Sequence, residues 1–460
     1  MFMELDMTKG SPLKLIVKFI IPVVLGNIFQ QLYNMVDTII VGRCVGVDAL
    51  AAVGATGTIS FLILGFATGL TTGFTVITSQ RFGAGDTDGL KVSVTNAVVL
   101  SAIVAVVITF ASVAAMPWLL RVMNTPDNIY QMSYDYIIII CYGMGFTILY
   151  NIMASLLRAV GNSKLPLYFL IISAFLNVVL DLVLIQIFDM GVKGAAYATI
   201  ISQGISGVLC VIYTLKKVRL IVPEKEHLHI DSQCMKNQLS VGVPMALQYS
   251  ITAIGTIMVQ SALNRFGSVV IASYTAANKA CQLATLPYSA LGVTMSTYAA
   301  QNRGINDIGR IKKGVFAASV MSSIYSVIIY GVAMLTLSPL MKLFIDTGST
   351  EVAFSEIYAY GRTYMLVSGT CFIPLGLIFI FRNAMQGCGF SFMAMMGGVV
   401  ELVSRAIIAT IAASKMSFVG VCSADPITWF ITGTFFFITY TLTIKHMEKK
   451  KAEFAKAKGV

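Results

Sequence analysis

Apolar stretches recur along the whole chain, each roughly the 20 residues that a helix needs to cross the hydrocarbon core of a bilayer. They lie near residues 15–41, 51–79, 92–116, 134–156, 165–188, 194–215, 239–263, 268–299, 314–338, 358–381, 392–413 and 427–444. The polar segments between them are too short to form a soluble domain. The pattern therefore predicts an all-α integral membrane protein with twelve transmembrane helices.

Composition and the placement of charge agree with this prediction. Of the 460 residues, 57% are hydrophobic and only 12% are charged, whereas soluble domains average about 25% charged residues. The net charge of +11 could indicate a nucleic-acid partner, but the Lys and Arg residues are unevenly placed. With the N-terminus inside, most of them fall on the cytoplasmic side, which is the usual bias of membrane proteins. We therefore expect a multi-pass protein of the cell membrane with both termini cytoplasmic, and no nucleic-acid partner.

A nearly fixed sequence offset indicates that the second half of the chain repeats the first. The segment SQRFGAGDTDGLK (79–91) matches AQNRGINDIGRIK (300–312) at an offset of 221. Pro22 and Pro117 recur as Pro244 and Pro339, and Tyr136 and Gly161 recur as Tyr364 and Gly389. Six spans per copy is an even number, so both copies share one orientation in the membrane. We predict two pseudo-symmetric six-helix lobes, 1–220 and 239–460, joined by a charged cytoplasmic linker, 221–238.

Few acidic residues lie inside the predicted spans, and these are the first candidates for function. Asp37, Asp181 and Glu401 sit deep in apolar stretches, and Asp135 stands near the start of another. A carboxylate in hydrocarbon costs about 3 kcal/mol or more and usually lines a cavity or an ion pathway. Asp37 ends a polar stripe on the first span that includes Asn27, Gln30, Gln31 and Asn34. Such a stripe must face either another helix or water.

The fifth span reads AFLNVVLDLVLI, which places Asn177 and Asp181 four residues apart on one helical face. Carboxylate and amide oxygens are the ligands that hard cations such as sodium prefer. The same carboxylate could instead take up a proton, since burial disfavours its charged form. The residues alone do not distinguish Na⁺ from H⁺.

Further polar groups lie in the second half. Glu401 precedes Arg405 by four residues, so the two can form an intrahelical ion pair or, alternatively, contact a substrate. The seventh span carries a row of polar residues at four-residue spacing that could line a cavity wall: Gln248, Thr252, Thr256, Gln260 and Asn264. The eighth span adds Asn278 and Gln282.

No signature of an enzyme or an ATPase accompanies these residues. The chain lacks a GxxxxGK[ST] phosphate-binding motif, and no nucleophile triad, CxxC pair or histidine-rich metal pattern stands out. We therefore expect a protein that is not an enzyme, has no cofactor, works as a monomer and draws its energy from an ion gradient.

Five segments resemble motifs of the multidrug and toxic compound extrusion (MATE) family, within the MOP flippase superfamily. They are QQLYNMVDTIIVG, ALAAVGATGTI, QRFGAGD, LLRAVGNSKLP and NVVLD. The resemblance implies a prokaryotic antiporter whose two lobes form a central cleft. Members of this family export organic cations and drugs in exchange for sodium or protons, so the same activity is implied here.

The resemblance also assigns roles to residues. It implies that the coupling ion, Na⁺ or H⁺, binds at Asp37, Asn177, Asp181 and Thr199. The family's first-helix tyrosine and fourth-helix asparagine fall on Tyr33 and Asn151. We place these two in a substrate cavity together with Gln30, Asn34, Gln248, Thr252 and Gln282. Another branch of the family has acids in the seventh and tenth helices, where this chain has no aspartate, which argues against an acidic coupling site of that kind in the second lobe.

Two other functions compete with drug export. A lipid-linked oligosaccharide flippase of the same superfamily would need basic residues to hold pyrophosphate, yet only Lys279, Arg362 and Arg405 fall within the membrane. A scaffold or receptor without transport activity would leave the buried carboxylates unexplained. At the repeat offset of 228, Asp181 maps onto Ala409 and Asn177 onto Arg405, so the predicted cation site belongs to one copy only.

Overall fold

The computed structural model describes residues 5–123, 125–263, 265–344 and 354–457. Their α-helices are α1 (Pro12–Cys44), α2 (Val47–Ala84), α3 (Thr87–Val122), α4 (Asp127–Tyr142), α5 (Met144–Ala159), α6 (Lys164–Asp181), α7 (Gly191–Lys217), α8 (Ser232–Leu263), α9 (Ser268–Gly304), α10 (Ile308–Phe344), α11 (Phe354–Gly369), α12 (Phe372–Gly387), α13 (Ser391–Ser414), α14 (Phe418–Cys422) and α15 (Ala424–Ala457). The described chain is therefore all-α.

The helices account for the twelve predicted spans. Within the described ranges, 9 helices are long and apolar enough to cross a bilayer, and two bent pairs bring the number to 11. The remaining span is α9, which has 37 residues but is more polar because it carries Asn278, Lys279 and Gln282. The protein is an integral membrane protein with twelve transmembrane helices in two six-helix bundles, as predicted.

The fourth and tenth spans, expected as continuous stretches, are each bent by 49°. Gly143 separates α4 from α5, and a Cβ at this position would lie only 2.2 Å from Ile200 Cγ2 of α7. The glycine thus lets the bent helix pack closely on α7. The second break, between α11 and α12, contains Cys371, which follows Gly143 by the repeat offset of 228. The bend is therefore a duplicated feature.

The chain divides into two compact units, and the boundary falls inside α8. The first unit holds Val17–Tyr249 and the described residues before Ser11, and the second holds Ser250–Val460 with Ser11–Ile16. The predicted linker, 221–238, lies within the first unit, where Asn96 of α3 fixes it. Asn96 Nδ2 donates to the His229 carbonyl at 3.3 Å, and its Oδ1 accepts from the Asp231 N–H at 3.0 Å. The predicted lobe limits at residues 220 and 239 stay a prediction.

Close backbone contact holds the first unit together. A Cβ at Gly69 of α2 would lie 2.6 Å from Ala246 Cα of α8, and one at Gly73 would lie 2.3 Å from Gly242 Cα. Small residues four apart permit such an approach between membrane helices. Phe74, fully buried, extends from the same helix into an apolar core formed with α3, α5, α6 and α7. This core includes residues of α6 and α7, the helices that carry Asn177, Asp181 and Thr199.

Candidate cation site

The carboxyls of Asp37 on α1 and Asp181 at the end of α6 face each other inside the first unit. They are close enough to share a hydrogen bond when one of them carries a proton. With both ionised, neither oxygen of Asp181 nor the buried Oδ1 of Asp37 finds a donor in the described part of the chain. Two like charges that are withdrawn from water and left without donors repel each other, so this pair needs a cation or a proton.

Asn177 and Thr199 extend the same cluster. Asn177 is one turn before Asp181 on α6, and its Nδ2 lies 3.5 Å from Thr199 Oγ1 on α7. The other amide atom, Oδ1, is buried and has no donor among the described residues. The four residues predicted to bind the coupling ion are thus neighbours in space. Together they present donor-free oxygens of two carboxylates and an amide, with a hydroxyl at the edge, which is chemistry suited to a hard cation.

The backbone changes its geometry directly after Asp181. Residues Leu182–Ile187 form a π-helical segment instead of continuing α6, and the Phe188 N–H donates to the Val183 carbonyl at 3.1 Å. π-Helical turns are rare and are frequently found at functional sites. The sequence does not predict this segment, because LVLIQI contains no glycine or proline that would mark a change of helix type.

Two residues whose sequence positions predict no role at the site contact its acids or Tyr33. Tyr136 of α4 is close enough to interact electrostatically with both Asp37 and Asp181. Gln203 of α7 contacts the Tyr33 hydroxyl and accepts a hydrogen bond from Thr147 Oγ1 at 2.5 Å. The sequence identifies Tyr136 only as a position that recurs in the repeat, as Tyr364. Its place next to an acidic pair could not be inferred without knowing how α4 packs against α1 and α6.

The residues predicted to line a substrate cavity belong to both units. Gln30 contacts the Tyr33 hydroxyl, so these two lie together on α1. The remaining predicted residues differ in burial: Asn34 is exposed, Asn151 is half-buried on α5, Gln248 is buried on α8, Thr252 is half-buried and Gln282 is exposed. Thr252 and Gln282 belong to the second unit. Asn264 lies outside the described residues. The shared cavity therefore stays a prediction.

Glu401 and Arg405 are in contact, and a third charged residue joins them. Arg405 Nη2 lies 2.8 Å from Glu401 Oε1 on the same helix, α13. Its Nε lies 2.7 Å from Asp425 Oδ1 at the start of α15. Asp425 does not stand out in the sequence, because it lies just before the apolar stretch 427–444 that predicts the twelfth span. Asp135, the acid near the start of the fourth predicted span, is paired with Lys193 at 3.3 Å.

Comparison with known proteins identifies relatives of this architecture. The family model described as MatE matches residues 22–183 and 242–411. The chain is 30% identical over 323 residues to the probable multidrug resistance protein YoeA of Bacillus subtilis (strain 168), covering 68% of this chain and 70% of the relative. It is 32% identical to the probable multidrug resistance protein YpnP of the same organism, covering 66% of this chain and 68% of that protein.

The fold is also similar to solved structures. The crystal structure of MATE in complex with MaL6 superposes with a TM-score of 0.89 at 22% sequence identity, covering 96% of this chain and 99% of that one. The matches to the family model lie in both halves of the chain and include Asp37, Asn177 and Asp181 in the first and Arg405 in the second. On this basis the chain belongs to the MatE family, the multidrug and toxic compound extrusion family that its motifs indicate.

Proposed function

We propose that this chain is a multidrug efflux antiporter of the cell membrane, which exports organic cations and drugs in exchange for Na⁺ or H⁺. The coupling ion binds at Asp37, Asn177, Asp181 and Thr199. Two relatives with names that describe multidrug resistance, YoeA and YpnP, support drugs as the class of substrate. An uneven distribution of Lys and Arg supports an orientation with both termini in the cytoplasm.

The observation that carries this proposal is the pair of facing carboxylates in the first unit. Asp181 is completely buried, and its two oxygens have no donor among the described residues. A buried acid with a purely structural role would normally be paired with a basic residue, as Glu401 is with Arg405. An exchangeable cation or proton would offset one of the two negative charges in one state of the transport cycle and would dissociate in another.

The mechanism follows from where the site's residues are attached. Asp37 is on α1, Asp181 and Asn177 are on α6, and Thr199 is on α7. A bound cation would remove the repulsion between the carboxylates and draw these three helices together, and its release would let them separate. The ion can shift the equilibrium between two conformations only by its difference in affinity for them. Alternating access requires the drug to favour the opposite conformation, so the ion gradient drives drug export.

The proposal is tested with Asp37→Asn and Asp181→Asn variants in everted membrane vesicles. Ethidium transport is measured under an imposed Na⁺ gradient and, separately, under an imposed pH gradient. We expect gradient-driven transport to fall by about tenfold or more in both variants, because amides at these positions remove the charge that attracts the ion. Dependence of the unmodified protein on one of the two gradients identifies the coupling ion.

Asp135→Asn provides a matched control. It removes a carboxylate from the same unit, but one that is already paired with Lys193 at 3.3 Å. Transport by this variant should stay close to that of the unmodified protein. Unchanged transport in both Asp37→Asn and Asp181→Asn would contradict the proposed mechanism.

A further inference from the structure

The second unit contains a cluster of three charged residues, two buried and one half-buried, that the proposed function does not use. Arg405 is 6% exposed and Glu401 is 8% exposed. The guanidinium is held at 2.8 Å from Glu401 Oε1 and at 2.7 Å from Asp425 Oδ1, so one cation joins α13 to α15 through two carboxylates. Its third nitrogen, Nη1, points at Gly255 of α8, where a Cβ would lie only 2.6 Å away.

This cluster has a counterpart in the first unit. At the repeat offset of 228, Arg405 stands where the first copy has Asn177, and Tyr364 stands where it has Tyr136. Tyr136 interacts with the acids of the first unit, and Tyr364 interacts with Asp425 in the second. Each unit therefore surrounds a pair of carboxylates with a tyrosine of the bent span and with residues of its fifth and sixth spans.

The two clusters differ in where their cation comes from. The first unit has two carboxylates and donor-free oxygens, but no basic side chain is bonded to them in the described part of the chain. In the second unit the guanidinium is covalently part of α13. Two carboxylates with Arg405 have a formal charge of −1, which equals that of Asp37 and Asp181 with one monovalent cation bound. In electrostatic terms, the second unit resembles a permanently occupied first unit.

We propose that Arg405 is a built-in cation that occupies the place of the coupling ion in the second unit and thereby restricts ion coupling to the first. This inference rests on the proposed cation site at Asp37 and Asp181. Because a guanidinium does not lose its proton in proteins and Arg405 cannot leave α13, its positive charge stays with the second unit throughout the cycle. Arg405 thus determines how many coupling ions the protein uses without contacting the ion itself.

The test replaces Arg405 by Asn, the residue that the first copy has at the same repeat position. The melting temperature of the purified full-length protein is measured in NaCl and in choline chloride, and separately across a pH series. The change in melting temperature caused by Na⁺ or by protons is called the cation response. We expect the single variant Asp181→Asn to show no cation response. The double variant Asp181→Asn/Arg405→Asn should regain one, because Glu401 and Asp425 then face each other without a cation. Asp181→Asn/Arg405→Lys should not regain it, since lysine keeps the charge.

The outcomes separate this proposal from the proposed function. If the unmodified protein shows no cation response, the proposed cation site in the first unit is disproved. A cation response gained in the double variant would still show that Arg405 keeps cations out of the second unit. If Asp181→Asn/Arg405→Asn is folded and responds no more than Asp181→Asn, the built-in cation is disproved. A cation response in Asp181→Asn that Glu401→Gln removes would equally overturn it, because the second unit would then bind ions despite Arg405.

A second variant covers the case in which Arg405→Asn does not fold. Glu401→Gln keeps the contact between Arg405 and Asp425 and leaves no excess charge in the cluster. With this single substitution, the cation concentration that gives half-maximal stabilisation should stay within about twofold of that of the unmodified protein. A shift of about tenfold or more would show that the second-unit acids take part in ion coupling, and would contradict the proposal.

Discussion

The side-chain amide of Asn177 on α6 lies 3.5 Å from the Thr199 hydroxyl on α7. The amide nitrogen takes part in this contact, whereas the amide oxygen has no donor in the described part of the chain. Asp181, one helical turn further along α6, is also without donors. The contact therefore places a neutral oxygen beside a charged one, and it connects the cation site to the helix that follows α6 in sequence.

Replacing Asn177 by Leu should weaken the binding of the coupling ion without abolishing transport. The substitution removes one neutral oxygen ligand and leaves both carboxylates in place. Loss of one such ligand is worth about 1–2 kcal/mol, so the cation concentration for half-maximal transport should rise about tenfold. The measurement is ethidium transport in everted vesicles as a function of the Na⁺ or H⁺ concentration.

Ser173→Ala is the control for this prediction. Ser173 is buried on α6 one turn before Asn177, so its replacement also removes a buried polar group from the same face. It should leave the cation dependence unchanged. Equal shifts in the two variants would show that Asn177 acts through the packing of α6 and not as a ligand.

The contact of α2 with α8 predicts a stability defect for Gly73→Ala. A Cβ at this position would lie 2.3 Å from Gly242 Cα, which is backbone and cannot rotate away. Overpacking of this kind costs about 1–3 kcal/mol, so the melting temperature of the purified protein in detergent should fall measurably. Gly54→Ala on the same helix is the control, because nothing lies within 4 Å of its added Cβ. Equal melting temperatures would show that α2 and α8 separate at little cost.

The hydrogen bonds of Asn96 should hold the connector between the two repeats in place. Its side chain is fully buried and bonds the backbone of the connector at His229 and at Asp231. Asn96→Leu should leave these two groups without partners, at a cost of about 1–3 kcal/mol each, and should expose the connector. Limited proteolysis of purified protein should then cut between 218 and 232 about tenfold faster.

The control for the connector is Asn237→Ala. Asn237 is half-buried, and its side-chain oxygen accepts from Gln233, one turn earlier on the same helix. Its replacement should leave the cleavage rate unchanged. If Asn96→Leu is cut no faster than this control, other contacts hold the connector, such as the ion pair between Lys91 and Glu224.

The helices and the repeat could be predicted because apolar runs and a nearly fixed offset are both visible in the sequence. Each span is a run of apolar residues, and the offset that relates Tyr136 to Tyr364 is visible without a structure. The contact between Glu401 and Arg405 was foreseeable for the same reason, since a four-residue spacing puts both on one helical face. Asp181 and Asn177 likewise share a face of one helix.

Contacts that depend on tertiary packing could not be predicted in this way. Tyr136 meets Asp37 and Asp181 only because α4, α1 and α6 come together, and Asp425 meets Arg405 only because α15 packs against α13. The bends at Gly143 and Cys371 and the π-helical segment after Asp181 lie within apolar runs whose composition does not change there. Periodicity identifies which face of a helix is polar, but not which helix that face will meet.

The proposed orientation in the membrane predicts opposite labelling of two exposed lysine positions. Lys449 lies on the C-terminal part of α15 and Lys415 follows α13. The lysine-rich end of α15 should be cytoplasmic because basic segments are retained on that side during insertion. Cysteine is placed at either position in a Cys44→Ser background, because Cys44 is exposed and would react itself. A membrane-impermeant maleimide should label Lys449→Cys only in everted vesicles and Lys415→Cys only in intact cells. The reverse pattern would invert every span and would contradict the proposed orientation.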